Sequence, residues 1–349
     1  MARTPDSLDR PGLVPPDDDP EKTFILKPPP DAATPSRRTP WLIGVASAVA
    51  VSAGLLLWFL PGLISPRPTV PLTPPPARIV DTAPLVPIVV ATEAQIATHH
   101  AERLTVFRFA DNPRVLILDY PTLREQGLAL NRIAAFVEKA SVPKDKVLDD
   151  ASLATEIAKA GDTIDSYYYG HDYGADDLTR FFALADRDGI RLSEQEEFLR
   201  RLIQQERLGD PAQPSAIITV PRVGPDSVDG FTRRVILRHE LSHGEFFTNP
   251  AYAAFARRAW SEILSAEERA AFQRFLVDLN YDSANTELII NEMQAFLMFT
   301  PDDRYASAER LGLTQAGLLA CQSALNIFQV TAPKSFQLIR PVSTAFCVV

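Results

Sequence analysis

The sequence predicts an α+β domain that is preceded by a single transmembrane helix. Three observations support this prediction: an uncharged apolar run near the amino terminus, short β-rich segments in the first half of the remaining chain, and long helical patterns in its second half. The chain has 349 residues, and its first quarter is too rich in proline to form a packed core. About 250 residues therefore remain for one globular unit.

The net charge of the chain is -9 and its pI is about 5.2. No basic cluster is long enough to neutralise a row of phosphates, which argues against a nucleic-acid partner. The two cysteines, Cys321 and Cys347, lack the spacing of a thiolate zinc finger. They could form one disulfide bond in an oxidising compartment, and buried free thiols are the alternative.

The amino-terminal quarter predicts a membrane anchor. Residues 1–40 have no apolar periodicity and are expected to form a disordered cytoplasmic tail. Residues 41–64 are expected to form a transmembrane signal anchor, because their first 20 residues are uncharged and long enough to cross a bilayer. No small-residue cleavage pattern follows, so we expect the anchor to stay uncleaved.

The orientation of this anchor follows from the basic residues around it. Arg37 and Arg38 precede the apolar run, whereas the basic residues after it are sparser, which keeps the amino terminus in the cytoplasm. The large carboxy-terminal part is then periplasmic or extracellular. A cytoplasmic enzyme with a buried helix at 41–60 is the alternative. Proline-rich residues 65–92 predict an extended linker to a domain at 93–349.

The first part of this domain, residues 93–229, predicts mixed secondary structure. Ser193 and Glu196 have the spacing of a helix capping box, and the acidic run at 186–189 lacks the spacing of a calcium loop. A turn and a capped helix are therefore expected there instead of a calcium site. Strands are expected at 104–109, 115–120 and 216–220, the first two as a hairpin, and helices at 124–140 and 151–160.

An aromatic run at 167–174, Tyr-Tyr-Tyr-Gly-His-Asp-Tyr-Gly, predicts a loop between these elements. His171 or Tyr173 in this loop could donate a hydrogen bond to a developing oxyanion. A structural aromatic loop with a hydrogen-bonded histidine is the alternative.

The strongest chemical signal is His239-Glu240-Leu241-Ser242-His243. A helix over 230–246 would place both imidazoles on one face, because residues four apart lie one above the other. Neutral imidazoles bind zinc, and a carboxylate beside the first ligand can take a proton from water as the water attacks a carbonyl. Glu240 is therefore the candidate general base. A surface helix with two exposed histidines is the alternative.

No histidine follows the motif, so a third ligand is expected to be a carboxylate. Glu245 points away from the pair on a continuing helix, Asp278 and Asp282 flank a probable turn, and Glu287 has polar neighbours. Glu292 lies in the apolar stripe of a predicted helix at 286–299, where a bare carboxylate is costly unless a metal or a strong partner compensates it. This position favours Glu292 as the ligand, and a buried salt bridge to an arginine is the alternative.

The motif, followed by Asn291-Glu292 on a later helix, resembles the gluzincin branch of the zincin metallopeptidases over residues 231–299. The resemblance implies Zn2+ bound by His239, His243 and Glu292, with Glu240 as the base. It also implies a zincin-like fold, with a mixed first part, a mainly helical second part at 230–349 and zinc in the cleft between them. Helices are expected there at 251–264, 266–279, 286–299 and 313–328.

Two positions depart from the family pattern. Thermolysin-like members carry an acid four residues after the third ligand to orient the first imidazole, and Phe296 stands there in this chain. Glu245 stands two residues after the second histidine, where the family has an apolar residue. The subfamily and the partner of His239 are therefore not assigned by the resemblance.

The expected function is that of a membrane-anchored zinc metallopeptidase acting on a peptide or protein substrate. The alternative is a non-catalytic extracytoplasmic binding module that retains a zincin fold and a structural zinc. A fourth protein ligand, for which Glu245 is the candidate, would favour this alternative. The pattern specifies neither the cleft walls nor the oligomeric state.

Overall fold

A five-stranded mixed sheet forms the centre of the protein in this computed structural model, which describes residues 86–300 and 307–330. The strand order is β1-β2-β3-β5-β4, and the pairings are parallel, antiparallel, parallel and antiparallel in that order. The strands are β1 (Ile88–Ala91), β2 (Thr105–Phe109), β3 (Val115–Asp119), β4 (Asp172–Gly174) and β5 (Ala216–Val220).

Both faces of the central strands are buried, since successive side chains of a strand point to opposite faces. In β3, Val115 and Ile117 belong to one apolar cluster, whereas Leu116 and Leu118 belong to the other. Helices therefore cover the sheet on both sides, and the predicted α+β class is confirmed.

Most helices of the first part contribute to the cluster of Leu116, whereas Ile96 of the first helix, Leu123 and the helices of the second part contribute to the cluster of Val115. In chain order, the helices are α1 (Glu93–Ala97), α2 (Leu123–Glu138), α3 (Asp150–Lys159), α4 (Ala175–Asp188), α5 (Glu194–Gln205), α6 (Gly230–Thr248), α7 (Pro250–Arg258), α8 (Ala266–Asp278), α9 (Thr286–Gln294) and α10 (Gln315–Val330). Short π-helical segments, Ala259–Ile263 and Ala295–Phe299, continue α7 and α9.

Most predicted elements are confirmed within a few residues, including the β2–β3 hairpin, β5 and the helix that carries the His-Glu motif. The capping box of Ser193 and Glu196 begins α5 as expected. Gly189, with a φ of 63°, is the C-cap of α4 and lies in the left-handed region. Asp186 and Asp188 therefore lie in the last turn of this helix.

Three expectations were wrong. The predicted linker at 65–92 extends too far, because Ile88–Ala91 pairs with β2 as the edge strand β1. The predicted aromatic loop ends in strand β4, which pairs with β5. The predicted regular helices at 251–264 and 286–299 each change to π-helical geometry in their last turn. The first two differences arise from strand pairing with segments far away in the sequence, which a local pattern does not show.

A buried ion pair joins α6 to the sheet. The guanidinium of Arg233 donates to both carboxylate oxygens of Asp119, at 3.1 and 2.7 Å, and to the carbonyls of Ile96 and Pro221. Neither side chain is exposed. A buried ion pair needs this many hydrogen bonds to offset the cost of desolvation. Because these bonds join Arg233 of α6 to Asp119 at the end of β3 and to Pro221 after β5, they fix the position of α6 on the sheet.

Several predictions concern residues outside the described ranges, namely the tail at 1–40, the anchor at 41–64 and Cys347. Within 86–300 and 307–330, no helix is both long and apolar enough to span a bilayer. Cys321 is buried and has no disulfide partner among the described residues, and burial raises the pKa of its thiol to about 12.

Candidate metal centre

The two motif histidines lie on one continuous helix. Asp229 caps α6 by accepting a hydrogen bond from the backbone of Thr232, and the helix runs unbroken to Thr248. His239 and His243 are therefore one turn apart on the same face, with ring centroids 4.7 Å apart. Both rings are buried, so the alternative of a surface helix with exposed histidines is wrong.

Glu292 on α9 faces this pair. Its Oε2 lies 3.8 Å from the Nε2 atoms of both His239 and His243, and these two nitrogens are 3.1 Å apart. Within the described ranges, Oε2 has no hydrogen-bond partner and no arginine pairs with Glu292. The three buried side chains could hold a metal ion.

Electrostatics favours the ligand form of both imidazoles. Burial, and then the neighbouring His243, lower the pKa of His239 well below its usual value. Burial lowers the pKa of His243 to about 4, while a hydrogen bond with Asn291 has the opposite, smaller effect. Both rings are thus neutral near pH 7, as metal binding requires. Burial, followed by the charge of Glu138, raises the pKa of Glu292, and a cation beside Glu292 would oppose both effects.

Thr300 holds the first imidazole. The hydroxyl of Thr300 donates to the carbonyl of Ala295 at 2.9 Å, so its oxygen accepts the proton of His239 Nδ1 at 2.7 Å. This arrangement leaves Nε2 of His239 as an acceptor facing His243 and Glu292. Phe296 packs edge-on against the same ring at 4.8 Å. The π-helical turn after α9 places both side chains, so Thr300 supplies the missing partner of His239 from eight residues beyond Glu292.

Asp172 at the start of β4 lies beside the second imidazole, with its Oδ1 3.6 Å from Nδ1 of His243. Asp172, Glu240 and His243 form a second group whose atoms could approach one cation. A ligating imidazole usually binds through one nitrogen and is oriented through the other. Because Nε2 of His243 faces Glu292, Asp172 is placed to orient His243 rather than to complete the first ligand set.

Glu240 is fully buried, and neither of its carboxylate oxygens has a hydrogen-bond partner in the part of the chain that the structure describes. Burial, and then the charge of Glu292, raise its pKa well above the usual value. The backbone at Gly170 packs directly against it. A Cβ atom at this position would lie 2.0 Å from Oε1 of Glu240, so only glycine fits there without moving the carboxylate.

His171 and Tyr173 occupy the aromatic segment next to Gly170. The Nδ1 of His171 is 3.2 Å from the hydroxyl of Thr219, and its ring stacks on Tyr168. Burial lowers the pKa of His171 to about 3. The hydroxyl of Tyr173 donates to Glu138 at 3.1 Å. Both side chains have described partners away from the three metal-ligand atoms.

Tyr281 is a site residue that the sequence analysis did not identify. Its buried hydroxyl has no hydrogen-bond partner among the described residues. Burial, followed in order by the charges of Glu292, Glu138, Asp172 and Glu240, raises its pKa well above the usual value, so the hydroxyl keeps its proton. The sequence showed only a tyrosine between Asn280 and Asp282 in a turn, and no local pattern signals that the turn reaches the centre.

Glu245 does not reach the ligand set. Asn112 donates to its Oε2 at 2.7 Å, and Asn249 donates to its Oε1 at 2.6 Å. Because α6 continues through this position, the carboxylate points away from the histidines, as predicted. Glu245 thus ties α6 to the β2–β3 turn, and its polar partners explain a buried acid where the resembled family has an apolar residue.

No family model, curated protein or solved structure matches this chain. The geometry of the site is therefore the basis for assigning a function.

Replacing Thr300 with valine is expected to weaken metal binding by about 10–100-fold, because His239 would lose the hydrogen bond that fixes its tautomer and ring orientation. The measurement is Zn2+ affinity by competition with a chelator of known affinity. Thr219→Val is the matched control, since that equally buried hydroxyl contacts His171 instead. Unchanged affinity in Thr300→Val would contradict the assigned role.

A second prediction concerns acid stability. The pKa of His171 in the folded protein, about 3, lies below the value of about 6.5 in an unfolded chain. The unfolded state therefore binds more protons between these values, and the stability contribution is complete above pH 6.5 and is lost as the pH falls toward 3. At pH 5 this effect of His171 lowers the free energy of unfolding by about 2 kcal/mol.

Urea unfolding of the metal-free protein at pH 7.5 and pH 5 tests this effect. The stability difference between the two pH values should be about 2 kcal/mol smaller in His171→Asn than in the wild type. His100→Asn, which removes an exposed histidine, should behave as the wild type does. An equal pH dependence in all three proteins would contradict the prediction.

Proposed function

We propose that this protein is a membrane-anchored zinc metallopeptidase. One observation carries the proposal: Nε2 of His239, Nε2 of His243 and Oε2 of Glu292 converge in a buried site, beside the carboxylate of Glu240, which has no hydrogen-bond partner among the described residues. Three ligands of the types that zinc prefers, together with an adjacent buried acid, are the components of metal-assisted hydrolysis.

The spacing of the three ligand atoms supports zinc as the metal. A circle through three atoms separated by 3.1, 3.8 and 3.8 Å has a radius of about 2.1 Å, and zinc bonds to nitrogen and oxygen ligands are about 2.0–2.2 Å long. Two imidazoles and one carboxylate would supply three protein ligands, the number that catalytic zinc sites have. Glu245, bound by two asparagines, does not add a fourth, so the structural-zinc alternative gains no support from it.

A bound zinc ion would supply Lewis-acid chemistry that polarises a carbonyl and lowers the pKa of water. Within the chain, Glu240 is placed to accept a proton from the attacking water and to return it to the leaving amine. Burial raises the pKa of Glu240, and a neighbouring cation would oppose this rise and favour the carboxylate form that a base needs. The protonated hydroxyl of Tyr281 is a donor without a described partner, and it would hydrogen-bond the oxyanion as it forms.

The fold supports a zincin-like architecture. The mixed sheet belongs to the first part of the domain, α6 and α9 carry the ligands, and the second part is helical. The membrane placement rests on the apolar run at 41–60 and on the arginines before it. It puts the domain that begins near Ile88 in the periplasm or outside the cell.

Metal analysis of the purified full-length protein tests the site. We expect one zinc ion per chain, and we expect Glu292→Ala to lose it while keeping the secondary structure seen by circular dichroism. Glu287→Ala is the matched control on the same helix, because that exposed acid pairs with Arg257. A folded wild-type protein that binds no zinc would refute the proposal.

Hydrolysis of unfolded protein and of mixed peptides tests catalysis. Glu240→Gln should abolish turnover with zinc still bound, because the amide cannot accept the proton. Tyr281→Phe should lower kcat by about 10²–10³-fold with little change in KM, as expected for a donor that acts on the transition state. Turnover by Glu240→Gln equal to that of the wild type would remove Glu240 as the base.

Protease added to the outside of spheroplasts tests the topology. The proposed orientation predicts digestion of the domain carried by residues 88–330, with only the amino-terminal tail protected. A domain that stays intact until the inner membrane is opened would place the enzyme in the cytoplasm and favour the alternative of a buried helix.

A further inference from the structure

An acid-lined cavity lies beside the metal centre, where α2, β4, α6 and α9 meet. Its volume is about 150 Å³, and Asp172 and Asn291 border both the cavity and the centre. Pockets for drug-sized ligands are typically about 300–1,000 Å³. This cavity is therefore sized for one side chain or one end of a chain rather than for a longer stretch of ligand.

Five acids and two basic residues, Lys144 and Arg180, line the cavity. Three of the acids are each matched by a basic neighbour. The pairs are Glu287 with Arg257, Asp177 with Arg180, and Asp282 with Lys144. The first is an exposed ion pair with donor-to-acceptor distances of 2.7–3.0 Å. The other two are electrostatic contacts. The charges of these outer acids are therefore already offset.

The two remaining acids are Glu138 and Asp172. Glu138 is 3% exposed, and its Oε1 accepts from Tyr173. Its Oε2 has no partner at hydrogen-bond distance within the described residues. Burial raises the pKa of Glu138, although the hydroxyl of Tyr168 lies near enough to oppose this rise. The side chain of Asp172 is 10% exposed and lies within electrostatic reach of Glu138. A buried carboxylate oxygen without a partner on the wall of a cavity is costly unless a ligand supplies the missing donor.

Lys139 reduces this deficit without removing it. Its ammonium group lies 4.7 Å from the ring centre of Tyr168 and 5.2 Å from that of Tyr281, and it donates to the carbonyl of Leu279. Its charge is also shared, since Glu138, Asp162, Glu156 and Glu292 all lie within electrostatic reach of it. Lys144 on the cavity wall lies within reach of Glu138 as well, and its charge is shared with Asp282.

We propose that this cavity binds a cationic group of the substrate, a protonated amine or a guanidinium, at Glu138. The inference rests on the proposed peptidase function and names its substrate class. Phe136, Val137 and Leu288 on the cavity wall would contact the aliphatic part of such a group while its charged end reaches the acid. The cation can come from a basic side chain beside the cleaved bond or from the free amino terminus of the substrate.

Matched peptides test the recognition and distinguish the two sources. One pair differs only in arginine or citrulline, which has nearly the same shape without the charge, and each peptide is made with a free and an acetylated amino terminus. Values of kcat/KM are measured with the zinc-loaded full-length protein. Binding of the same peptides is measured by calorimetry with zinc-loaded Glu240→Gln.

A charged group satisfied by a buried carboxylate should improve kcat/KM or affinity by about tenfold or more over its neutral analogue. A preference for arginine that survives acetylation identifies a basic side chain. Loss of binding and cleavage on acetylation, with no preference for arginine, identifies the amino terminus. Equal values for all four peptides would overturn the inference.

Glu138→Gln tests the assigned acid. It should lower the preference for the charged peptide by about tenfold, because the amide keeps the hydrogen bond with Tyr173 and loses the charge. Glu287→Gln, on the same cavity but paired with Arg257, should keep the wild-type ratio. Equal losses on the charged and neutral peptides in Glu138→Gln would show a structural role and would also overturn the inference.

The two proposals fail in different ways. A zinc-loaded protein that prefers the charged peptide in calorimetry but cleaves none of the peptides would refute the peptidase function and keep the cation site. Cleavage of all the peptides without any charge preference would refute the cation site and keep the peptidase function.

Discussion

The site depends on buried ionisable groups that have too few hydrogen-bond partners among the residues that the structure describes. Two imidazoles and the carboxylates of Glu240 and Glu292 lie in one apolar interior, and several of their polar atoms have no hydrogen-bond partner in the described ranges. Burying such groups costs several kcal/mol each unless something compensates them. A divalent cation bound at His239, His243 and Glu292 offers that compensation, which is why the geometry favours a metal site over a structural core.

Buried polar contacts fix the positions of the two helices that carry the site, α6 and α9. Arg233 fixes the start of α6 to Asp119 of β3, and Glu245 fixes its end to Asn112 in the turn before β3. Between these two anchors lies the His-Glu motif. On the other side, the hydroxyl of Tyr252 donates to Gln294, which in turn donates to Ser242 inside the motif. These contacts hold α9 against α6, so Glu292 meets the histidines.

Local geometry then refines the site. The π-helical turn after α9 carries Thr300 to His239, and the close approach of Gly170 encloses Glu240. Irregular turns of this kind are common at functional sites, because they direct a side chain where a regular helix would not. The departure at Phe296 from the thermolysin-like pattern is thus a change of partner: an aromatic ring packs on the imidazole while a hydroxyl eight residues later holds its proton.

The sequence by itself determined the α+β class, most of the strands and helices, and the candidates His239, Glu240, His243 and Glu292. It did so because helical spacing and apolar neighbours are local properties, and they already place two histidines on one face and Glu292 in an apolar stripe. Zinc, peptide hydrolysis and the membrane address stay predictions.

Only the tertiary structure decided what depends on contacts between segments far apart in the chain. The edge strands β1 and β4 exist because neighbouring strands pair with segments that look like linker and loop. Thr300, Tyr281 and Glu138 come to the centre from a π-turn, a polar turn and the end of α2, and no local pattern marks them. Their roles depend on contacts between distant segments, and these contacts exist only in the folded chain.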